Sequence, residues 1–181
     1  MRAIRNYLFI AIAIIGFTFV STNAQSFASS KPARSVDEQV YHKLRGLIHY
    51  NVFDNIEWQV NGNIVTLTGK VHSLGTKSEA ARSVKDIEGV TEVINNIQDL
   101  PPSPMDDRIR RAALISFTNG GPAQYFGEPN PDVRIIVENG RMALEGYVSR
   151  QSDSNLLNVL ANGINGVFQV TNNLKVGERR F

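Results

Sequence analysis

The sequence predicts an α+β fold of two tandem domains, each an α-β-β-α-β unit whose three-stranded mixed sheet is covered on one face by two helices. Three observations predict this fold: an internal repeat, one order of apolar periodicities in both copies, and prolines between the copies. Residues 60–99 align with residues 137–176 without a gap at an offset of 77, and ten of the 40 pairs are identical. The identical pairs are mostly apolar residues and glycines, which packing and special backbone angles require: Val60/Val137, Leu67/Leu144, Gly69/Gly146, Val71/Val148, Ile87/Ile164, Gly89/Gly166, Val90/Val167, Val93/Val170, Asn95/Asn172 and Asn96/Asn173.

Residues 1–24 are predicted to form a secretory signal peptide. Arg2 and Arg5 make a basic start, residues 8–20 are a 13-residue apolar run, and small residues follow. We place cleavage after Ala24, with the position after Ala28 as the second choice. The apolar run is shorter than the about 20 residues of a membrane-spanning helix, and an uncleaved signal anchor is the alternative. Cleavage would leave a soluble periplasmic or secreted protein.

The composition argues against several classes of protein. Residues 1–24 hold two arginines and no acidic residue, so the remainder has 17 basic and 17 acidic side chains. A nucleic-acid-binding protein usually has a strong basic excess, which this balance lacks. The chain has no cysteine, and therefore neither a disulfide framework nor a lipid-attachment cysteine.

The predicted domains follow in order along the chain. Residues 25–35, rich in Ser, Ala and Lys, form a flexible mature N-terminus, residues 36–100 the first domain and residues 105–176 the second. The prolines in residues 101–104 favour a short, extended linker, and residues 177–181 form a C-terminal tail. Domains of this size are marginally stable alone, so we expect the two to pack together.

The first domain opens with a helix and a hairpin. Apolar residues in segment 36–48 recur at spacings of three and four, which gives one apolar face of a helix. Segments 56–60 and 65–71 alternate between apolar and polar residues, as half-buried strands do. Asn61 and Gly62 are predicted to form the tight turn between these strands.

A second helix and a third strand complete the first domain. Residues 76–79 (Thr-Lys-Ser-Glu) match a capping box at the start of that helix. Gly89 follows its last turn, as Gly166 does in the second copy, which is typical of a left-handed helix terminator. Residues 90–97 form the third strand, and the strand-helix-strand connection predicts that it lies parallel to the second.

The second domain keeps this order but contains an insertion. Asp37 corresponds to Asp106 at an offset of 69, whereas later positions match at 77, so eight residues are inserted within 118–134. That segment is rich in turn-forming residues, with Tyr125 and Phe126 near its middle. The acidic pair at Asp106 is explained by a helix start, where the helix dipole favours acids.

Each sheet is predicted to leave one face bare, because both helices of a domain cover the other face. Strand alternation places eight side chains on these bare faces: Gln59, Thr66, Thr68 and Lys70 in the first domain, and Ile136, Ala143, Glu145 and Tyr147 in the second.

Two segments of each copy resemble the signature of the BON domain family. In the first copy they are residues 65–71 (VTLTGKV) and 88–97 (EGVTEVINNI), and in the second residues 142–148 (MALEGYV) and 166–174 (GVFQVTNNL). The resemblance implies a small α/β module in a secreted or envelope protein, attachment to phospholipid surfaces, and no catalytic residues. Family members that are lipoproteins carry a cysteine after the signal, and this chain has none.

The repeated glycines and asparagines have a structural and a ligand-binding interpretation. Gly69 and Gly146 either mark a bulge or close packing, or allow a ligand to approach the backbone. Asn95 and Asn172 either hydrogen-bond a nearby loop or bind a polar ligand. We favour the structural interpretation for all four residues, together with Gly89 and Gly166.

The sequence offers no catalytic or metal-binding constellation. His42 and His49 lie seven residues apart on one helix face, and His72 lies at a strand end. No H-E-x-x-H motif, Cys-His pair or Gly-x-Ser-x-Gly elbow accompanies them. We therefore predict a protein that is not an enzyme and has neither a metal nor a cofactor.

A candidate binding surface lies in the second domain. Arg108, Arg110 and Arg111 are close together on its first helix, and Tyr125 and Phe126 lie in the insertion. Arginines beside exposed aromatics suit a lipid headgroup region or an acidic partner. The alternative is that the arginines are solvated or paired with the acids of their helix, and that the aromatics fold onto the domain.

We predict a non-catalytic exported binding module of the bacterial envelope that associates weakly with anionic phospholipid through these five residues. The alternative is a soluble, stress-related adaptor or chaperone-like protein that binds envelope proteins through its bare sheet faces or edge strands. The sequence leaves the oligomeric state open.

Overall fold

The computed structural model describes residues 34–177. The predicted signal peptide, nearly all of the predicted flexible N-terminus and the last four residues lie outside this range. Residues 34 onward cluster as one unit, which contains both repeats. Within residues 34–177, no helix combines the length and the hydropathy that spanning a bilayer requires.

The first domain has the predicted α-β-β-α-β order. Its elements are α1 (Val36–Arg45), β1 (Asn55–Asn61), β2 (Ile64–Val71), α2 (Thr76–Lys85), β3 (Glu92–Asn95) and β4 (Gln98–Asp99). The central strand β2 pairs antiparallel with β1 and parallel with β3 and β4. Both β3 and β4 keep one register against β2, so they are two parts of the predicted third strand. The interruption lies at Asn96 and Ile97, where the Asn95 side chain accepts a hydrogen bond from the Ile97 N–H.

The second domain repeats this topology with a longer first helix. Its elements are α3 (Pro104–Gly120), a 3-10 turn (Ala123–Phe126), β5 (Val133–Glu138), β6 (Arg141–Val148), α4 (Gln151–Asn162) and β7 (Gln169–Val176). The strand order is β5-β6-β7, antiparallel and then parallel. The predicted fold class is therefore confirmed in both copies.

Two apolar cores lie between the helices and the inner faces of the sheets. The first domain buries Val40, Leu44, Leu67 and Val84 among others. The second domain buries Phe117, Ile135, Leu144 and Leu157, and its core also includes Val52 from the first domain. The two domains therefore share apolar packing.

Close strand packing explains the glycines in the middle of both β-hairpins. Gly69 and Gly146 have φ angles of 116° and 113°. A Cβ at Gly69 would lie 2.2 Å from the Asn55 carbonyl oxygen, and one at Gly146 would lie 2.0 Å from the Asp132 oxygen. Only glycine fits at these positions, which supports the structural interpretation of the pair.

Several predicted boundaries need correction. Gly75, in the left-handed region, caps α2 without a side-chain hydrogen bond, so no capping box forms at Thr76. The second helices end at Lys85 and Asn162, four residues before Gly89 and Gly166. Both glycines keep a φ of 92°, but they belong to the turn that follows each helix. The first hairpin turn is Gly62-Asn63, one residue later than predicted, because Asn61 still pairs with Ile64.

The prediction of a bare sheet face is wrong for part of the second domain. Ile136 on that face is only 7% exposed, and its neighbour Arg134 is 2% exposed. Tyr50 and Asn51 of the first domain contact Arg134, and Ile136 lines a cleft together with Asn55 and Lys70 of the first domain.

Candidate functional site

The structure does not bring the five predicted binding residues to one surface. Arg108 and Arg111 are exposed, whereas Arg110, Tyr125 and Phe126 are buried. The buried three make internal contacts in the second domain. The predicted surface is therefore corrected to the two arginines and their exposed neighbours.

Arg110 lies on the inner face of α3 because it is in helical phase with Ile109, Ala113 and Phe117. Its guanidinium donates to the Val137 carbonyl oxygen on β5 and, at 2.6 Å, to Asp107 Oδ1. His72 Nε2 of the first domain lies 3.1 Å from the same Asp107 oxygen. Asp107 therefore has two basic partners, and it connects the two domains through His72.

The electrostatic environment of Asp107 sets the direction of its pKa. Burial favours the neutral acid, but hydrogen bonding and attraction to Arg110, with the further attraction of His72, outweigh burial and lower the pKa. A carboxyl group whose pKa is lower in the folded than in the unfolded state stabilises the fold above its unfolded pKa, about 3.9. That stabilisation is lost as the pH falls through the lower folded value.

We expect Asp107→Asn to make the free energy of unfolding less dependent on pH in the acidic range. The free energy of unfolding of the original protein should fall with pH below about 4, partly because Asp107 takes up a proton. The variant should be less stable at neutral pH, and the difference between the two proteins should shrink on acidification. Urea unfolding between pH 3 and 7 measures this difference, and a constant or growing difference would contradict the assignment.

Tyr125 and Phe126 fold onto the second domain instead of reaching solvent. The Tyr125 hydroxyl donates to Asp153 Oδ2 at 2.7 Å and accepts from the Ser149 N–H at 2.8 Å. The Phe126 ring stacks on Phe117 with 5.5 Å between centroids. The 3-10 turn therefore ties the end of α3 to the start of α4.

The outer face of α3 is both basic and apolar. Arg108 and Arg111 lie on it between Met105 and Ile115, which are 51% and 60% exposed. A guanidinium nitrogen of Arg108 lies 3.2 Å from the Met105 sulfur. Within residues 34–177, no carboxylate forms an ion pair with either arginine. We call Met105, Arg108, Arg111 and Ile115 the α3 outer face.

The acidic residues of α3 do not neutralise this face. Asp106 is buried, and its carboxylate accepts from the N–H groups of Asn139 and Gly140 at 2.9 and 2.8 Å. Asp107 binds Arg110, as described above. Both acids of the first turn therefore have internal partners, and the outer face keeps two positive charges.

A segment of the first domain seals the edge of the second sheet. The Ile135 N–H on β5 donates to the Val52 carbonyl oxygen at 2.8 Å. Arg134 donates to the Asn51 carbonyl oxygen at 2.8 Å, and its guanidinium lies over the Tyr50 ring, 4.3 Å from the centroid. Lys70 of the first domain also forms an ion pair with Glu138. No sequence pattern marks Arg134, because its contacts cross between the domains.

A groove of about 330 Å³ lies between the two domains, and its walls include Glu57 and Glu145. Burial raises the pKa of Glu145, and repulsion from Glu57 adds to this effect, against a hydrogen bond from Asn173 and attraction to Lys175. The charged groups of this groove therefore come from both domains.

The two repeated asparagines have matching structural roles. Asn95 Nδ2 donates to the Lys77 carbonyl oxygen at 3.0 Å, and Asn172 Nδ2 donates to the equivalent Ser154 carbonyl oxygen at 3.2 Å. Each side chain joins the third strand to the first turn of the second helix. These contacts support the structural interpretation over ligand binding.

The described residues 34–177 hold no group of three or more His, Cys, Asp or Glu side chains that could bind a metal ion. His42 lies 3.8 Å from Glu38 on α1, His49 is exposed in the following loop, and His72 contacts Asp107.

Comparisons with known proteins agree with the repeat. The BON domain family matches the chain at residues 37–98 and again at residues 123–178. Osmotically-inducible protein Y of Escherichia coli is 27% identical over 123 residues, which are 67% of this chain and 61% of that protein. The chain thus matches less than two thirds of that relative's length. The outer membrane lipoprotein DolP of Haemophilus influenzae is 27% identical over 165 residues, 87% of this chain and 83% of that protein.

Among solved structures, the chain resembles CdsD, a structural protein of the type III secretion system of Chlamydia trachomatis. The TM-score is 0.31 at 15% identity, over 79% of this chain and 93% of that chain. A likeness of this size supports no argument about function.

Proposed function

The chain belongs to the BON domain family, and on that premise we propose that it is a non-catalytic protein of the bacterial envelope that associates with anionic phospholipid surfaces. The α3 outer face is the observation that carries this proposal. It presents two arginines without a carboxylate partner among the described residues, between two exposed apolar side chains. Arginine binds phosphate groups well, and its stem packs against apolar surface at the level of the headgroups.

The relatives support an envelope location. One of them is named as an outer membrane lipoprotein. This chain has no cysteine, so it would contact a membrane by surface attraction and not through an attached lipid. We further propose that the protein is soluble in the periplasm or secreted after its signal peptide is removed.

The first domain does not repeat the two arginines of the α3 outer face at the equivalent positions. Its first helix carries Gln39 and His42 at the positions that correspond to Arg108 and Arg111. Attraction to an anionic leaflet contributes about 1 kcal/mol per basic residue near the surface. We therefore assign the contact with the membrane to the second domain.

Charge reversal on α3 tests the proposal. We expect Arg108→Glu/Arg111→Glu to weaken binding to vesicles of phosphatidylglycerol and phosphatidylcholine by about 30-fold or more, since two charges contribute about 2 kcal/mol. Co-sedimentation at several salt concentrations measures the effect, and binding by the original protein should decrease as salt rises.

The matched control is Arg82→Glu/Lys85→Glu on α2, where the two basic residues are also exposed and three positions apart. This control should bind like the original protein. Equal binding to vesicles of phosphatidylcholine alone, or equal loss in both double variants, would refute the proposal.

A further inference from the structure

Phe168 is a large aromatic side chain at the surface of the second domain. It is 83% exposed and lies just before β7. Its backbone N–H donates to the Gly140 carbonyl oxygen at 2.9 Å, and its ring lies against Gly140, where a Cβ would come within 2.5 Å of the ring. The backbone at this position is therefore held by the sheet while most of the ring is in solvent.

The same hairpin turn connects Phe168 to the first turn of α3. Asp106 accepts a hydrogen bond from the Gly140 N–H on that turn. Gly166 lies two residues before Phe168, and a Cβ added to it would lie 3.3 Å from the Ile109 side chain on α3. Phe168 and the start of the α3 outer face therefore lie at the same end of the domain.

Two exposed arginines, Arg108 and Arg141, lie at this end of the domain. The nearby acids have partners, since Asp106 binds the hairpin turn, Asp107 binds Arg110, and Glu138 forms an ion pair with Lys70. An apolar ring at the same end as arginines that form no ion pair within residues 34–177 is complementary to a surface with anionic headgroups above hydrocarbon.

The first domain has no counterpart of this ring. The residue that corresponds to Phe168 at the offset of 77 is Thr91, whose side chain donates to the Asn63 carbonyl oxygen. The aromatic therefore belongs to the second copy alone, as the two arginines do.

We propose that Phe168 inserts into the boundary between headgroups and acyl chains of an anionic bilayer while the arginines of the α3 outer face contact the headgroups. This inference rests on the proposed function and adds the residue that distinguishes a bilayer from a soluble acidic partner. Only a bilayer offers hydrocarbon below its charges.

Depth-dependent quenching tests the insertion. Trp58 is the only tryptophan, so Phe168→Trp in a Trp58→Phe background gives one reporter at this site. With vesicles of phosphatidylglycerol and brominated phosphatidylcholine, we expect a blue shift of its emission and strong quenching by bromine on the acyl chains. The matched control is Thr91→Trp in the same background, whose emission should stay unchanged.

A second variant measures the contribution of the ring to affinity. Phe168→Ser should weaken binding about tenfold at every salt concentration, because burial of the ring is apolar and salt does not screen it. The arginine variants should instead reduce the salt dependence itself. Leu74→Ser, at an 86% exposed position in the first domain, serves as the control and should bind like the original protein.

The outcomes separate the two proposals. If the original protein does not bind anionic vesicles, the proposed function fails and the inference falls with it. If the protein binds but the tryptophan at position 168 is not quenched, or Phe168→Ser binds unchanged, only the insertion of Phe168 is refuted.

Discussion

Replacing Asp54 by alanine is expected to lower the free energy of unfolding by about 3–5 kcal/mol, since each donor left without a partner costs about 1–3 kcal/mol, and less where water reaches it. Asp54, the residue before β1, is fully buried. Its Oδ1 accepts from the backbone N–H groups of His72 and Ser73 at 2.6 and 3.1 Å. Its Oδ2 accepts from the Asn51 N–H and the Ser73 hydroxyl, both at 3.1 Å.

The effect should extend to both domains. Asp54 fixes the segment whose Val52 side chain packs in the core of the second domain and whose carbonyl group pairs with β5. Urea unfolding followed by Trp58 fluorescence, which reports on the first domain, and by circular dichroism, which reports on both, should show a single transition at lower urea. Asp54→Asn keeps the shape of the side chain and should lose less. A loss below about 1 kcal/mol for the alanine variant, or a shift confined to one domain, would contradict this account.

Replacing Gly146 by alanine is expected to lower the free energy of unfolding by about 3 kcal/mol or more. The new Cβ would lie 2.0 Å from the Asp132 carbonyl oxygen, and a φ of 113° is strained for any residue with a side chain. Backbone strain and overpacking each cost about 1–3 kcal/mol. Because the oxygen belongs to the neighbouring backbone, the hairpin itself must shift.

Gly75→Ala is the matched control for this prediction. Gly75 also has a positive φ, of 88°, but a Cβ there has nothing within 4 Å. It should cost only about 1 kcal/mol for the left-handed conformation. Thermal or urea unfolding of the two variants separates close packing from backbone strain, and equal losses would show that the approach of the Asp132 oxygen contributes nothing.

The sequence predicts the order of the elements because the period of the apolar residues is set within each element. The apolar periodicity of β2 and the repeated Gly69 and Gly146 are local signals, and the structure confirms both repeats. Boundaries were less predictable. Gly75 in a left-handed conformation starts α2, although Thr76 and Glu79 have the spacing of a capping box.

The candidate site was only partly predictable, because some of its residues are buried and others are exposed. Helical phase places Arg110 with Ile109, Ala113 and Phe117, and this signal could have separated it from Arg108 and Arg111. No comparable signal marks Asp54 or Arg134. Their partners lie in loops or in the other domain, and a sequence pattern does not show which residues come close together in this way. Tyr125 and Phe126 were ambiguous because turn-forming residues surround them.

The hydrogen bond between Ile135 and Val52 also bears on how the chain is made. Translation proceeds from the N-terminus, so the residues that close the edge of β5 leave the ribosome well before that strand exists. Val52 and its neighbours are therefore already part of the chain while the later copy is still being synthesised. When β5 is synthesised, the segment that binds its edge is already present in the same chain, which leaves less opportunity for β5 to pair with a neighbouring chain. The order of the two copies along the chain therefore matters for this contact.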